Sequence, residues 1–246
     1  MIEKIGIIGF GQMGQFLATL LKNHAEIEVT DTLNKKHIAL KLGVSWKSLE
    51  EVVKNSILFL VVPIPNFESC LISIKDLVSP HTIVIECCSV MHTPVKLMMQ
   101  HLSQTQQIVG CHHLFGPQSG AKGVKNKQMV LSFIRCSDSK RILRLFDPPQ
   151  LSIITLSPEE HDTIMADTQA VELFIGAMLK TLVIHPHKLT TPGFDLLLQL
   201  YEMLKDDSSD ILAAVHTENP FAEKIADNLL QSAHEVRNSI WDGTSK

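Results

Sequence analysis

The sequence lacks a strong charge of either sign. Its 22 Lys and Arg against 26 Asp and Glu leave a formal charge of −4, so no field directs the chain to nucleic acid or to an anionic membrane. Lys and Arg do gather at 122–127 and 140–144, where they read as solvated faces. A metal-type cysteine framework is also missing. The five cysteines (Cys70, Cys87, Cys88, Cys111 and Cys136) form no CxxC and no ligand spacing with histidine, so no metal site is expected. Their odd number, and a start without a signal-peptide pattern, fit a reducing cytoplasm. No apolar stretch is long enough to span a bilayer: the longest helical one, 171–184, is short and carries Glu172 and Lys180. Internal repeats and low-complexity tracts are absent. A chain of 246 residues, 45% hydrophobic and 20% charged, has the balance of an ordinary globular protein with one large domain or a large and a small one.

What is present is organised around the first fourteen residues. Ile5-Gly6-Ile7-Ile8 is a strand-type apolar run, Gly9-Phe10-Gly11-Gln12-Met13-Gly14 follows without a gap, and 15–21 takes up helical spacing. Strand, G-x-G-x-x-G and helix in that order form a dinucleotide-binding turn. Gly9 permits the tight turn, Gly11 lets the backbone approach a pyrophosphate, and Gly14 lets helix and strand pack closely. The helix N-terminus presents its N–H groups to the phosphates. Asp31 ends the second expected strand, where an acidic group accepts hydrogen bonds from the adenosine ribose and repels a 2′-phosphate. That favours NAD, while Lys35 and Lys36 nearby leave NADP open; the plainer reading of Asp31 is a turn residue.

The chain continues in alternation. Helical patterns at 35–42 and 46–54, the latter with a Ser48/Glu51 capping box, lead to a solid apolar strand, Ile57 to Val62. Pro63-Ile64-Pro65 is expected to stop that strand and hold a loop that places Val62 and Pro63 beside the cofactor, with the next helix over 68–77. Strands follow at 82–86, 107–111, 128–134 and 151–156, separated by helical patterns at 94–102 and 140–146. The expectation is an α/β doubly wound sheet over residues 1–156. From Ser157-Pro158-Glu159-Glu160, a helix start, only helical patterns remain. Residues 157–246 are expected to form an all-helical domain, short for an independent core, that pairs with a second copy in a homodimer.

Catalytic side chains belong where strands end near the nicotinamide. Ser89 follows one strand, His112 ends another, and His161 opens the helical region. A histidine there can take a proton from a substrate hydroxyl as hydride leaves for the nicotinamide, and Ser89 can hydrogen bond that hydroxyl. His113 would face the other way on an extended chain and reads as a packed or solvent-facing ring.

GFGQMGQFLA, the CSV around Ser89, GCHHLFGPQSG at Gly110–Gly120, HDTIMADTQ at His161–Gln169 and TPGFDLLLQL at Thr191–Leu200 resemble, in the same order, strings of the prephenate/arogenate dehydrogenase family, above all of its plant-type arogenate dehydrogenases. The resemblance covers nearly the whole chain. It implies a Rossmann domain followed by a helical dimerisation domain, and oxidative decarboxylation of a cyclohexadienyl acid in tyrosine biosynthesis. It assigns His112 the polarising of the ring 4-hydroxyl, and Ser89 a place near the nicotinamide and that hydroxyl. Gln118, Ser119, Gly120, His161 and Gln169 fall in its substrate-binding strings.

The chain also departs from that pattern. The family has His-Pro where this chain has His112-His113, often an acidic residue at Gln118, and a lysine at Met91. Arginines that hold substrate carboxylates in bacterial members fall near Asp195 and Met203, and a substrate-facing histidine is replaced by Leu173. Lys122, Lys125 and Lys127 are the cations left for a dianionic substrate. Two further readings therefore stand beside the family reaction: a related dehydrogenase or imine reductase acting on another small acid, and a non-catalytic dinucleotide-binding dimer.

Overall fold

Runs of Ile, Val, Leu and Phe without polar interruption can only be strands covered on both faces, and the chain uses them to build one sheet. The computed structural model describes residues 2–205 and 209–241; residues 206–208 and 242–246, which belong to the expected second domain, lie outside them. The elements in order are β1 (Glu3–Ile8), α1 (Gln12–Leu21), β2 (Ala25–Thr30), α2 (Lys36–Leu42), β3 (Ser45–Trp46), α3 (Leu49–Val52), β4 (Ile57–Leu60), α4 (Ile64–Ile74), β5 (Ile83–Glu86), α5 (His92–His101), β6 (Gln107–His113), α6 (Pro117–Gly120), β7 (Gln128–Arg135), α7 (Ser139–Leu145) and β8 (Ser152–Thr155). Then come α8 (Pro158–Met165), a π-helical turn (Ala166–Ala170), α9 (Val171–Leu182), α10 (Pro192–Leu204), α11 (Ser209–Thr217) and α12 (Ile225–Trp241).

The eight strands are ordered β3-β2-β1-β4-β5-β6-β7-β8. All neighbours are parallel except β6 and β7. The strand order reverses between β1 and β4, and this is the switch point at which a doubly wound sheet opens a crevice at its carboxyl edge. β4 is buried along its whole length, each such apolar side chain stabilising the fold by roughly 1.5–3 kcal/mol. On one face Ile5, Ile7, Ile85, Val109, Cys111 and Leu131 pack with helix residues such as Leu17 and Ile142. A bidentate ion pair fastens the start of α7 to the start of β1: Arg141 donates to both Glu3 carboxylate oxygens at 2.8 and 2.6 Å.

Several local expectations are corrected. Pro63 and Pro65 do not hold a loop: Pro63 is the N-cap of α4 and Pro65 lies in its first turn, where a missing N–H costs nothing and a fixed φ suits the helix. Trp46 is in β3, not a helix, because it pairs with Val29. The capping box does form, with the Ser48 hydroxyl accepting from Glu51 N and the Glu51 carboxylate accepting from Ser48 N. The strand at 107–111 runs on through His113, since the antiparallel β7 pairs with both histidines.

Two compact units result, Met1–His161 and Asp162–Lys246. The division falls inside α8, a helix that the sequence pattern assigns wholly to the second domain. In the second unit Ala166, Ala170, Leu173, Leu204, Val215 and Ala222 form a small core. Asn219 closes it by donating to the Asp162 carbonyl at 2.8 Å.

Candidate active site

The glycine turn is built as its spacing demands. Gly9 has φ +96°, and a Cβ there would lie 2.1 Å from the Val61 carbonyl oxygen, so only glycine fits. A Cβ on Gly14 would meet the Gly9 carbonyl oxygen at 2.0 Å. Gly11 is different: a Cβ there meets nothing within 4 Å. No protein neighbour requires that glycine, so the free space before α1 is room for a ligand. Gly11 brings no side chain to cap the helix, which leaves the first N–H groups of α1 available to an anion. These residues fit a dinucleotide diphosphate. Gln12 is exposed, Met13 is half-buried, and the Phe10 side chain is fully buried against Trp46.

Asp31 stands just after β2 and clamps the turn. Its Oδ2 accepts from Phe10 N at 2.7 Å and from Lys35 Nζ at 2.8 Å, and its Oδ1 accepts from Leu33 N at 2.9 Å. Burial alone would raise its pKa, but the Lys35 hydrogen bond and the two N–H donors outweigh it and hold the carboxyl below its ordinary range. The Lys35 pairing was not legible in the sequence, which only placed that lysine nearby. Val62 and Pro63 follow β4 at the same edge of the sheet.

The carboxyl end of β6 carries His112 and His113. Alternation along the strand sends His112 to one face and Cys111 and His113 to the other. His112 Nδ1 lies 2.9 Å from His161 Nε2, and both rings are buried, at 7% and 0% exposure. The rings meet edge to face, their centroids 5.0 Å apart. Burial first, then the facing His161 and the adjacent His113, push the His112 pKa well below the ordinary histidine range. His112 is therefore a neutral imidazole with one nitrogen held by a partner. His161 arrives there because α8 has a defined start: the Ser157 hydroxyl accepts from Glu160 N and the Glu160 carboxylate accepts from Ser157 N. Ser89 is half-buried in the loop between β5 and α5.

The other expected substrate residues fall in both units. Gln118 and Ser119 are exposed in α6, and Ser119 Oγ accepts from Gly116 N at 3.0 Å. Gly120 is a packing glycine, since a Cβ there would come within 2.5 Å of the Phe16 ring. It seats the loop after β6 on α1. Gln169 lies in the π-helical turn of the second unit, with a buried Oε1 that has no hydrogen-bond partner. Where the sequence departs from the family pattern, Met91, Leu173 and Asp195 have other tasks. Met91 is buried beside Gly110. Leu173 is core, and Asp195 accepts from Thr190 Oγ1 at 2.7 Å at the start of α10. Met203 is 57% exposed.

Three groups escaped sequence reasoning. Glu86 is fully buried at the end of β5, with Oε2 accepting from Cys88 N at 2.7 Å and Oε1 unpartnered. Burial pushes its pKa well up against the Cys88 bond. The other two are Cys87 and Cys111, side by side on the face away from His112.

A family profile described as prephenate dehydrogenase, nucleotide-binding domain, matches residues 17–137. The chain is 30% identical over 231 residues to arogenate dehydrogenase 1, chloroplastic, of Arabidopsis thaliana, an alignment covering 89% of this chain and 36% of that protein. With arogenate dehydrogenase 2, chloroplastic, of the same plant it shares 24% over 250 residues, covering 97% of this chain and 70% of the relative. The chain thus spans little more than a third of the first relative's length. Among solved structures, prephenate dehydrogenase from A. aeolicus in complex with hydroxyphenyl propionate and NAD+ superposes with a TM-score of 0.76 at 17% identity, covering 100% of this chain and 93% of the other. Synechocystis arogenate dehydrogenase does so with 0.70 at 19%, covering 98% and 93%.

Proposed function

We propose that the chain is a member of the prephenate/arogenate dehydrogenase family and that it catalyses the NAD(P)-dependent oxidative decarboxylation of prephenate or arogenate, a step of tyrosine biosynthesis. The observation that carries this reading is the buried His112–His161 pair at the carboxyl edge of a sheet whose switch point bears the glycine turn. The small-molecule substrate is a cyclohexadienyl acid with a ring 4-hydroxyl. Prephenate would give 4-hydroxyphenylpyruvate and arogenate would give tyrosine.

The turn from Gly9 to Gly14 and the N-terminus of α1 hold the cofactor's diphosphate. Asp31 takes the adenosine ribose, and Val62 and Pro63 border the other half. NAD is the expected cofactor, with NADP admitted by Lys35. When bound, the cofactor supplies a hydride acceptor. The protein's own residues manage the proton and the geometry. His112 Nδ1–H donates to His161 Nε2, which leaves His112 Nε2 with its lone pair free for the ring hydroxyl. As hydride departs from C4, that hydroxyl becomes a carbonyl and its proton passes to His112 Nε2. The imidazolium so formed is stabilised by the His161 acceptor. Ser89 orients the hydroxyl. Loss of the ring carboxylate as carbon dioxide sends its electron pair through the ring to the carbonyl oxygen, which takes the proton back from His112 Nε2 to give the phenol, and the aromatic ring so formed makes the step effectively irreversible. Orientation and one base are what the protein must provide.

A specific observation favours a second reading. With Asp195 and Leu173 committed to the structure and Met203 exposed, the usual carboxylate-binding side chains are missing. Lys122 and Lys125 are exposed and Lys127 half-buried in the loop after α6, and they are the remaining cations for a dianion. A dehydrogenase acting on another small acid is the alternative. The test is an assay of the purified chain with prephenate and arogenate, each with NAD and with NADP, following the reduced cofactor. Turnover of one of the two acids supports the family reaction. Intact cofactor binding without turnover of either sinks it.

The second unit is read as a dimerisation module. Its helix α12 buries no residue, while Leu230, Val236, Ile240 and Trp241 on it and Leu196 on α10 are exposed. Such apolar surface calls for a partner, and a second copy is the proposed one; a monomer in sedimentation would remove this. The five cysteines are free, which supports a reducing compartment such as the cytoplasm. No helix among the described residues is long and apolar enough to cross a membrane.

A further inference from the structure

We propose that Cys87, Cys111 and His113 form a binding site for one thiophilic divalent cation of the zinc type, on the face of β6 opposite His112. One ligand atom from each residue can be chosen so that all three lie within 4.8 Å of one another. The register explains the meeting. Glu86 is paired with Gly110 in the parallel β5–β6 ladder, so the next residues, Cys87 and Cys111, stand side by side. Two further along β6 the pleat brings His113 to the same face, where its Nδ1 is 3.8 Å from Cys111 Sγ.

The surroundings suit a metal. Cys111 is 0% and His113 6% exposed, and Cys87 is half-buried, so the site has a closed floor and one open side. The His113 ring is held edge to face by Phe115 and Phe146, with centroids 5.5 and 6.0 Å away. Its buried Nε2 has no hydrogen-bond partner, a cost of about 1–3 kcal/mol for which the protein fold offers no return. A tetrahedral zinc ion with Zn–S of about 2.3 Å sets its sulfurs about 3.8 Å apart, so the ligand atoms need to close by only about 1 Å. Two thiolates cancel the charge of the ion, which removes the electrostatic objection to placing it in an apolar core. Sulfur and imidazole select zinc over magnesium or calcium. Solvent on the Cys87 side supplies the fourth ligand. The ion would staple the ends of β5 and β6, the strands that carry Ser89 and His112 toward the cofactor edge, without touching the reacting atoms.

The inference does not depend on the reaction assigned above, and its test reads metal and not turnover. The full chain, purified with reductant and stripped with a chelator, is titrated with Zn2+ against a chromophoric chelator and, separately, with Co2+. The expected result is about one equivalent per chain, a Co2+ spectrum with thiolate-to-metal charge-transfer bands, and a rise in Tm on adding Zn2+. Cys87→Ser, at the half-buried position best able to tolerate change, should lose those bands and at least tenfold in affinity while keeping the apo Tm. Three outcomes overturn the proposal. One is no metal uptake by wild-type chain with both thiols reactive. Another is uptake undiminished in Cys87→Ser with Cys111→Ser, which would place the ion elsewhere, such as at the neighbouring His185 and His187. The third is a Cys87–Cys111 disulfide that persists in the presence of reductant.

Discussion

His112 Nδ1 and His161 Nε2 face each other at 2.9 Å across 49 residues of sequence. Two buried imidazoles at that distance share one proton, so each fixes the other's tautomer. His112→Asn should abolish turnover and leave cofactor affinity within about twofold, because β4 and β5 lie between its strand and β1, which leads into the glycine turn. His161→Phe keeps the volume and removes the acceptor. It should lower kcat by about 10–100-fold, in the range of a lost positioning contact to a general base. Full activity in His112→Asn, measured by cofactor reduction, would remove the catalytic assignment.

The same pair sets a pH dependence. Burial and the two neighbouring histidines depress the His112 pKa, so its neutral, proton-accepting form persists below the ordinary histidine range. The acid limb of kcat/KM should therefore lie below pH 6.5, and His161→Phe should shift it. For stability the sign is as follows. The unfolded chain takes up a proton near pH 6.5 that folded His112 refuses, so its contribution is intact above that pH and is lost as the pH falls from there toward the folded pKa. An acid limb at or above pH 6.5 would contradict the burial of this ring.

Glu86 behaves in the opposite sense. Its folded pKa is raised by burial, so its neutral form contributes stability that is complete below the unfolded value of 4.5 and is lost as the pH rises toward the folded pKa. Glu86→Gln keeps an acceptor for Cys88 N. It should match the wild type in acid and exceed it above pH 4.5, by up to about 1.4 kcal/mol per pH unit until the folded pKa is reached. Chemical denaturation at pH 5 and pH 8 checks this, and equal stability differences at both would mean that the carboxyl is ionised in the fold.

The two interior glycines of the turn should fail differently. Gly14→Ala drives a Cβ into the Gly9 carbonyl oxygen and should cost about 1–3 kcal/mol or more of stability, as overpacking does. Gly11→Ala meets no protein atom. Its Tm should stay within a few degrees while dinucleotide affinity falls at least tenfold. If Gly11→Ala binds as well as wild type, the open space before α1 is not the diphosphate site.

Asp31 holds both a backbone amide and Lys35. Asp31→Ala should free Lys35 for a 2′-phosphate and raise the NADP-to-NAD efficiency ratio about tenfold, about 1.4 kcal/mol. Steady-state kinetics with both cofactors decide it, and an unchanged ratio would leave Asp31 as a clamp of the turn alone.

Much of this fold is written locally. Uninterrupted apolar runs specify the buried strands, Ser48 with Glu51 and Ser157 with Glu160 specify helix starts, and the glycine spacing specifies the turn, because each acts within a few residues. Pro63 and Pro65 misled only where the same residue chemistry serves two local ends, a strand stop and a helix start. The place of His112 was legible for the same reason, as a histidine at a strand end. Its partner was not. Four elements, α6, β7, α7 and β8, separate His161 from it along the chain, and no periodicity encodes that distance. Cys87, Cys111 and His113 show the limit most sharply. Their spacing along the chain carries no metal signature, and only the register of β5 against β6 brings them to one face. Side-chain period and capping are short-range properties that the sequence by itself determines. Which strand lies beside which is settled by burying all of those faces at once, and that packing made the histidine pair and the thiol cluster.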